Sequence, residues 1–100
     1  MAASFTAYRL SRLAEIDLEN IYAYSTQRWS AEQAERYVGD LRMAILGLVS
    51  GARTGRRLEG VEGHLALKVG SHLVIYRAAD MIFVTRILHG AMDIGRHLQP

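Results

Sequence analysis

The stretch HLALKVGSHLVIYRAADMIFVTRILH, residues 64–89, decides the fold. Its apolar residues recur with a period near two, which predicts strands over 64–69, 72–77 and 81–88. Gly70-Ser71 is a two-residue link of the hairpin type, and Ala78-Ala79-Asp80 supplies a second turn, so the strands form an antiparallel meander. Leu73 and Ile75 fall on one face of the second strand, with Val74 and Tyr76 on the other. In the third, Ile82, Val84 and Leu88 oppose Met81, Phe83 and Ile87. A sheet with one wet face alternates apolar and polar residues, whereas these strands are apolar on both. One layer of helices shields a single face. The pattern therefore predicts an apolar groove that takes a segment of a partner, presented by Leu73, Val74, Ile75, Tyr76 or Phe83, whichever face the helices leave open.

Upstream lie the helices. Ser11 is placed to cap the first, with Glu15, Asp17 and Glu19 near the positive end of its dipole. Ala14, Leu18, Ile21 and Ser25 make one stripe, flanked by Leu13, Tyr22 and Tyr24, and the pattern ends around Trp29. Ser30 and Gln33 fit a capping box that opens a second helix. Ala34, Tyr37, Val38, Leu41, Ile45 and Leu48 carry it to a stop at Gly51, with Ala44 and Val49 widening the stripe. Two amphipathic helices with almost nothing between them fold back as an antiparallel hairpin. A DNA-reading helix should be clearly cationic. The second helix sets Glu32, Glu35 and Asp40 against Arg36 and Arg42, which argues against that role.

A short strand is expected over residues 4–10, and residues 51–63 (GARTGRRLEGVEG) read as a glycine-rich basic connector. The connector lacks the preceding strand and the Gly-Lys-Ser/Thr ending of a phosphate-binding loop. The expected class is thus α+β. An N-terminal strand and a helical hairpin pack on one face of a small, mainly antiparallel sheet, in the order β-α-α-β-β-β with a short C-terminal turn or helix.

One hundred residues make a single domain, 1–100, and a chain half apolar with one proline is globular. The absence of cysteine excludes a disulfide scaffold, a thiolate zinc site and a cysteine nucleophile. Residues 1–12 lack the apolar core of a secretory signal, and no apolar run suits a membrane span, so a cytoplasmic protein without membrane contact is expected. Charge is uneven: residues 1–50 hold five arginines against six acids, a net of −1, and residues 51–100 hold seven Lys/Arg against four acids, a net of +3. An acidic partner should meet the second half.

All four histidines, His64, His72, His89 and His97, lie in that half, without metal-ligand spacing, and neither a metal nor another cofactor is expected. Arg86, His89, Asp93, Arg96 and His97 gather toward the end. Arginine beside histidine suits phosphorane stabilisation and proton transfer in RNA cleavage, and equally suits mutual pairing at a sheet end. The tyrosines and Trp29 are mostly at helical spacing and read as core.

Segment by segment the chain resembles the ParE branch of the RelE/ParE toxin superfamily. The matching pieces begin with Leu10-Ser11, Ala14, Asp17-Leu18, Ile21, Tyr24, Arg28-Trp29 and Gln33-Ala34-Glu35-Arg36-Tyr37. They continue through Gly55-Arg56, Val69-Gly70-Ser71-His72 and Tyr76-Arg77 to Arg86-Ile87-Leu88-His89-Gly90-Ala91-Met92-Asp93 and Arg96-His97-Leu98. The resemblance implies the toxin half of a type II toxin–antitoxin pair, a binding protein without turnover that engages DNA gyrase. It implies a ParD-like ribbon–helix–helix antitoxin that wraps the toxin and alone carries it to operator DNA. The residues then expected to meet the target are Arg86, His89, Met92, Asp93, Arg96 and His97, followed by Arg56 and Arg57. RelE-type relatives cleave mRNA on the ribosome and commonly use a C-terminal tyrosine, which the segment after Phe83 lacks. Leu65-Ala66-Leu67 also stands where many ParE-like chains carry an arginine, which leaves room for a non-toxic relative that only forms complexes and regulates its operon.

Overall fold

The computed structural model describes residues 5, 7–90 and 98. Within them the chain runs β1 (Tyr8–Leu10), α1 (Arg12–Arg28), α2 (Ala31–Ser50), β2 (Arg56–Arg57), β3 (Leu65–Val69), β4 (His72–Ala78) and β5 (Ile82–His89). This is the α+β arrangement expected, with the helical hairpin on one face of a mainly antiparallel sheet. The expected C-terminal turn or helix lies, apart from Leu98, outside the described residues.

Both helices start on their serine. Ser11 Oγ accepts from the Ala14 N–H at 3.0 Å, and Ser30 Oγ from the Gln33 N–H at 3.1 Å. Gly51 ends α2 in the left-handed region at φ 84°. α1 buries Ala14, Leu18, Ile21 and Ser25; α2 buries Ala34, Leu41, Ala44, Ile45 and Leu48. Most of these side chains close one cluster with Leu67, Val69, Val74, Tyr76, Ile82, Val84 and Ile87 of the sheet.

The strand order is β1-β5-β4-β3-β2, with β1 parallel to β5 and the other neighbours antiparallel. Three details depart from expectation. β1 is only Tyr8–Leu10, because Phe5 has left the sheet and its N–H donates to the carbonyl of Val49 at the end of α2. Arg56 and Arg57, expected in a connector, form β2 on the edge of β3. The approach works because position 55 is glycine: its N–H donates to the Tyr76 hydroxyl at 2.8 Å, and a Cβ there would stand 2.7 Å from the Ala66 carbonyl oxygen.

The third departure is a bulge. Ile75 pairs with Arg86 but Tyr76 pairs with Val84, so Thr85 is an extra residue in β5. One added residue inverts the alternation beyond it. Ile87 joins Ile82 and Val84 on the helix side, and Leu88 turns to the opposite face beside Leu73. On that opposite face Ile75 and Leu88 are 0% and 1% exposed, with Leu73 and Phe83 half-buried. The open groove expected of the sheet is therefore absent at Val74, Ile75 and Tyr76. Val74 and Tyr76 belong to the helix-side core, and Ile75 is shielded within the single chain. Large apolar side chains are exposed instead mainly on the helical hairpin, at Leu13, Tyr24, Trp29, Met43 and Leu46.

Gly70, in the β3–β4 turn, has φ 58°, and a Cβ on it would meet the Tyr37 ring at 2.7 Å. Gly60 shares the left-handed backbone (φ 77°) but has open space around it. Gly60→Ala should thus cost only the backbone strain of about 1 kcal/mol. Gly70→Ala should cost clearly more in urea unfolding, because Tyr37 must also move. Equal losses would show that the close approach is unimportant.

Candidate functional site

Two ties hold α1 against β5, and both use backbone groups around the bulge. The Ser11 N–H donates to the Val84 carbonyl at 2.9 Å, and Ser11 Oγ donates to the Thr85 carbonyl at 2.7 Å. Further along the helix, Asp17 accepts three hydrogen bonds, each 2.9 Å, from Arg86 Nε, Arg86 Nη2 and the Ile87 N–H. The Arg86 and Asp17 side chains are only 17% and 12% exposed, so the fork-shaped pair is held mostly out of water. Its hydrogen bond to Asp17 raises the pKa of Arg86 above an already high ordinary value, with burial working the other way.

Beside this pair lies a cavity of about 520 Å³, between the α1–α2 junction and the ends of β4 and β5. One wall is a run of rings in edge-to-face contact. Trp29 meets Tyr37 with centroids 6.1 Å apart, Tyr37 meets His72 at 5.5 Å, and His72 meets His89 at 5.4 Å. The Arg28 guanidinium lies over the Tyr24 ring, 5.4 Å from its centroid. The Tyr37 hydroxyl organises the wall: it accepts from the Ser71 N–H at 3.1 Å and sits 2.6 Å from His72 Nδ1. The Val69 carbonyl, 3.4 Å away, is a second acceptor for the hydroxyl proton, so the direction of the short contact to His72 follows the tautomer of that ring. Burial is the main cause that pushes the His72 pKa below its ordinary value. The charge of His89 adds to this and Asp17 opposes it.

The residues expected to meet a target divide three ways. His89 lines the cavity, and Arg86 borders it while committed to Asp17. Arg56 and Arg57 lie in β2 at the other end of the strand order, so the structure does not bring them to Arg86. Met92, Asp93, Arg96 and His97 fall outside the described residues. Of the residues expected to meet an antitoxin, only Leu73 and Phe83 remain partly accessible. Sequence reasoning missed Asp17, Tyr24, Arg28, Trp29, Tyr37 and His72 as site residues. Trp29 and Tyr24, expected in the core, are 51% and 58% exposed. The available signal was their place among the segments that match the toxin superfamily. Among the described residues no group of three or more His, Cys, Asp or Glu could hold a metal ion, and no helix is long and apolar enough to cross a membrane.

The fold recurs in solved structures of toxin–antitoxin systems. A chain of the chromosomal ParDE system from P. aeruginosa superposes with a TM-score of 0.75 at 24% identity, covering 85% of this chain and 95% of that one. A chain of the RelBE2 toxin–antitoxin complex from Mycobacterium tuberculosis gives 0.51 at 23% identity, covering 87% and 92%. The α+β architecture is thus one that occurs in toxin–antitoxin systems. Sequence is more specific. Residues 8–94 match the family described as ParE toxin of type II toxin–antitoxin system, parDE. Toxin ParE1 of Caulobacter vibrioides is 38% identical over 92 residues, which is 91% of this chain and 96% of that protein. Toxin ParE1 of Mycobacterium tuberculosis is 37% identical over 94 residues with the same coverage, and Toxin ParE of Escherichia coli is 32% identical over 96 residues, 93% of each. The chain belongs to the ParE toxin family.

Asp17→Asn should destabilise the protein by about 3 kcal/mol, since it strands a largely buried guanidinium. The double variant Asp17→Leu/Arg86→Met should recover part of that loss in the same denaturant titration. No recovery would mean that the pair does more than balance its own charges. Because the folded-state pKa of His72 is depressed, its contribution to stability is present above the ordinary histidine value of about 6.5 and is lost as pH falls through the folded value. The thermal midpoint should therefore drop on acidification through that range, and less steeply in His72→Asn, which removes the titrating ring.

Proposed function

We propose that this toxin acts by binding, that its target is DNA gyrase, and that a ParD-like ribbon–helix–helix antitoxin neutralises it and alone links it to operator DNA. Family membership supports the toxin role, and the resemblance to the ParE branch carries gyrase and the antitoxin with it. The observation that favours binding over catalysis is the state of Arg86. Two of its nitrogens are bound to Asp17. A nuclease needs a cation aimed at the phosphorane.

Ribosome-dependent RNA cleavage of the RelE type is the second reading. The observation that favours it is the gathering of Arg86, His72 and His89 around one cavity. The loss of toxicity considered from Leu65-Ala66-Leu67 has a local counterpart. Leu67 is part of the helix-side core and Leu65 packs against it, while Ala66 is half-buried beside Ile75.

Expression of the chain alone should arrest growth, and the purified protein should block supercoiling by gyrase or leave cleaved DNA. In-frame cuts in mRNA on translating ribosomes, with supercoiling untouched, would establish the RelE reading instead. Absence of growth arrest would mark a non-toxic relative. For the antitoxin, Leu73→Asp and Phe83→Asp are the surface changes to make, and either should weaken binding by about 2 kcal/mol if the open part of that sheet face is the contact. Unchanged affinity for both, with the fold intact, would place the antitoxin elsewhere.

A further inference from the structure

We propose that the cavity walled by Trp29, Tyr37 and His72 binds a nucleotide, its base against Trp29 and Tyr24 and its phosphate toward Arg28. The inference goes beyond the gyrase reading and does not depend on it.

Three observations carry it. First, the two rings at the mouth are half in water: Tyr24 is 58% exposed and Trp29 51%, although both belong to segments with a buried stripe available beside them. Flat aromatic faces left open next to a guanidinium are how proteins hold the bases of unpaired nucleotides, since every base has a π-face to stack. Second, the cation is in place. Arg28 lies over Tyr24 and makes no ion pair among the described residues, so its charge is available to an anion. Third, the wall supplies polar groups. The Tyr37 hydroxyl engages His72 at Nδ1, which leaves the ring's Nε2 for a ligand, and Asn20 lines the same space.

Ligand chemistry is narrowed by what each alternative would waste. A purely apolar ligand would desolvate the His72 ring nitrogen and the Asn20 side chain without replacing their hydrogen bonds. A bare anion would leave the two rings uncovered. The volume of about 520 Å³ lies within the range of about 300–1,000 Å³ typical of small-molecule sites. Free nucleotide and one residue of a single strand present the same chemistry to this cavity.

Trp29 is the sole tryptophan of the chain, so its fluorescence reports on the cavity directly. The purified protein is titrated with AMP, adenosine, inorganic phosphate, a short oligothymidylate and a short polyglutamate peptide. AMP is expected to quench saturably with a Kd below about 1 mM. Adenosine and phosphate alone should each bind about tenfold more weakly, as loss of one of two contacts requires. Arg28→Gln should abolish the advantage of AMP over adenosine while leaving the circular dichroism spectrum unchanged. Tyr24→Leu and Trp29→Leu, followed by calorimetry, should weaken AMP by a similar factor. A tighter oligothymidylate than AMP identifies a strand residue as the ligand, and equal or weaker binding identifies the free nucleotide; both support the site. The proposal is overturned if AMP does not bind, if phosphate alone binds as well as AMP, or if polyglutamate outcompetes it.

Discussion

The carboxylate of Asp17 is the point on which the molecule turns. It ties one helix to one strand through two guanidinium nitrogens and a backbone N–H, and it does so where β5 carries its extra residue. The bulge and the pair need each other. A regular ladder would engage the backbone groups near Thr85 with neighbouring strands, whereas a bulge disrupts the ladder and leaves groups for Ser11 and Asp17 to use. In return, the helix holds β5 in the register that sends Ile87 to the helix-side core and Leu88 to the far face. Packing on both sides of the sheet follows from that single insertion.

Sequence reading succeeded where the cause is local. Ser11 and Ser30 cap their helices because a hydroxyl three residues ahead of an N–H is a short-range device, and Gly70-Ser71 turns because glycine accepts the left-handed backbone. It failed where the cause is distant in the chain. Nothing near Thr85 announces a bulge, since the groups that exploit it come from Ser11 and Asp17. The alternation drawn through residues 81–88 was therefore right before Thr85 and inverted after it. β2 escaped notice for a similar reason: Gly55 and Arg56 look like a connector until Tyr76 and Ala66 are brought beside them.

The site shows the same division. His89 and Arg86 draw attention as basic residues at a strand end, and both line one cavity, but their surroundings change what they can do. Arg86 is a brace as well as a cavity border, and the rings that shape the cavity come from α1, the turn after it, α2 and β4. Tyr37 was read as part of a helical stripe, and its carbon skeleton does pack against the core. Its hydroxyl is the part with a second purpose, since it joins the β3–β4 turn to His72. Periodicity registers only the first role. The doubly apolar sheet was a true observation with a different outcome, since Ile75 and Leu88 are already sheltered within the single chain.

The place of β1 has a consequence for how the molecule comes into being. Its partner in the sheet is β5, and the bond from Ser11 to Thr85 spans 74 positions of the chain. The hairpins between can pair as soon as they are made, but the first strand has no neighbour until nearly the last one exists. A polypeptide emerging amino end first therefore keeps β1 without its partner until β5 has been made, and the five-stranded order is complete only then.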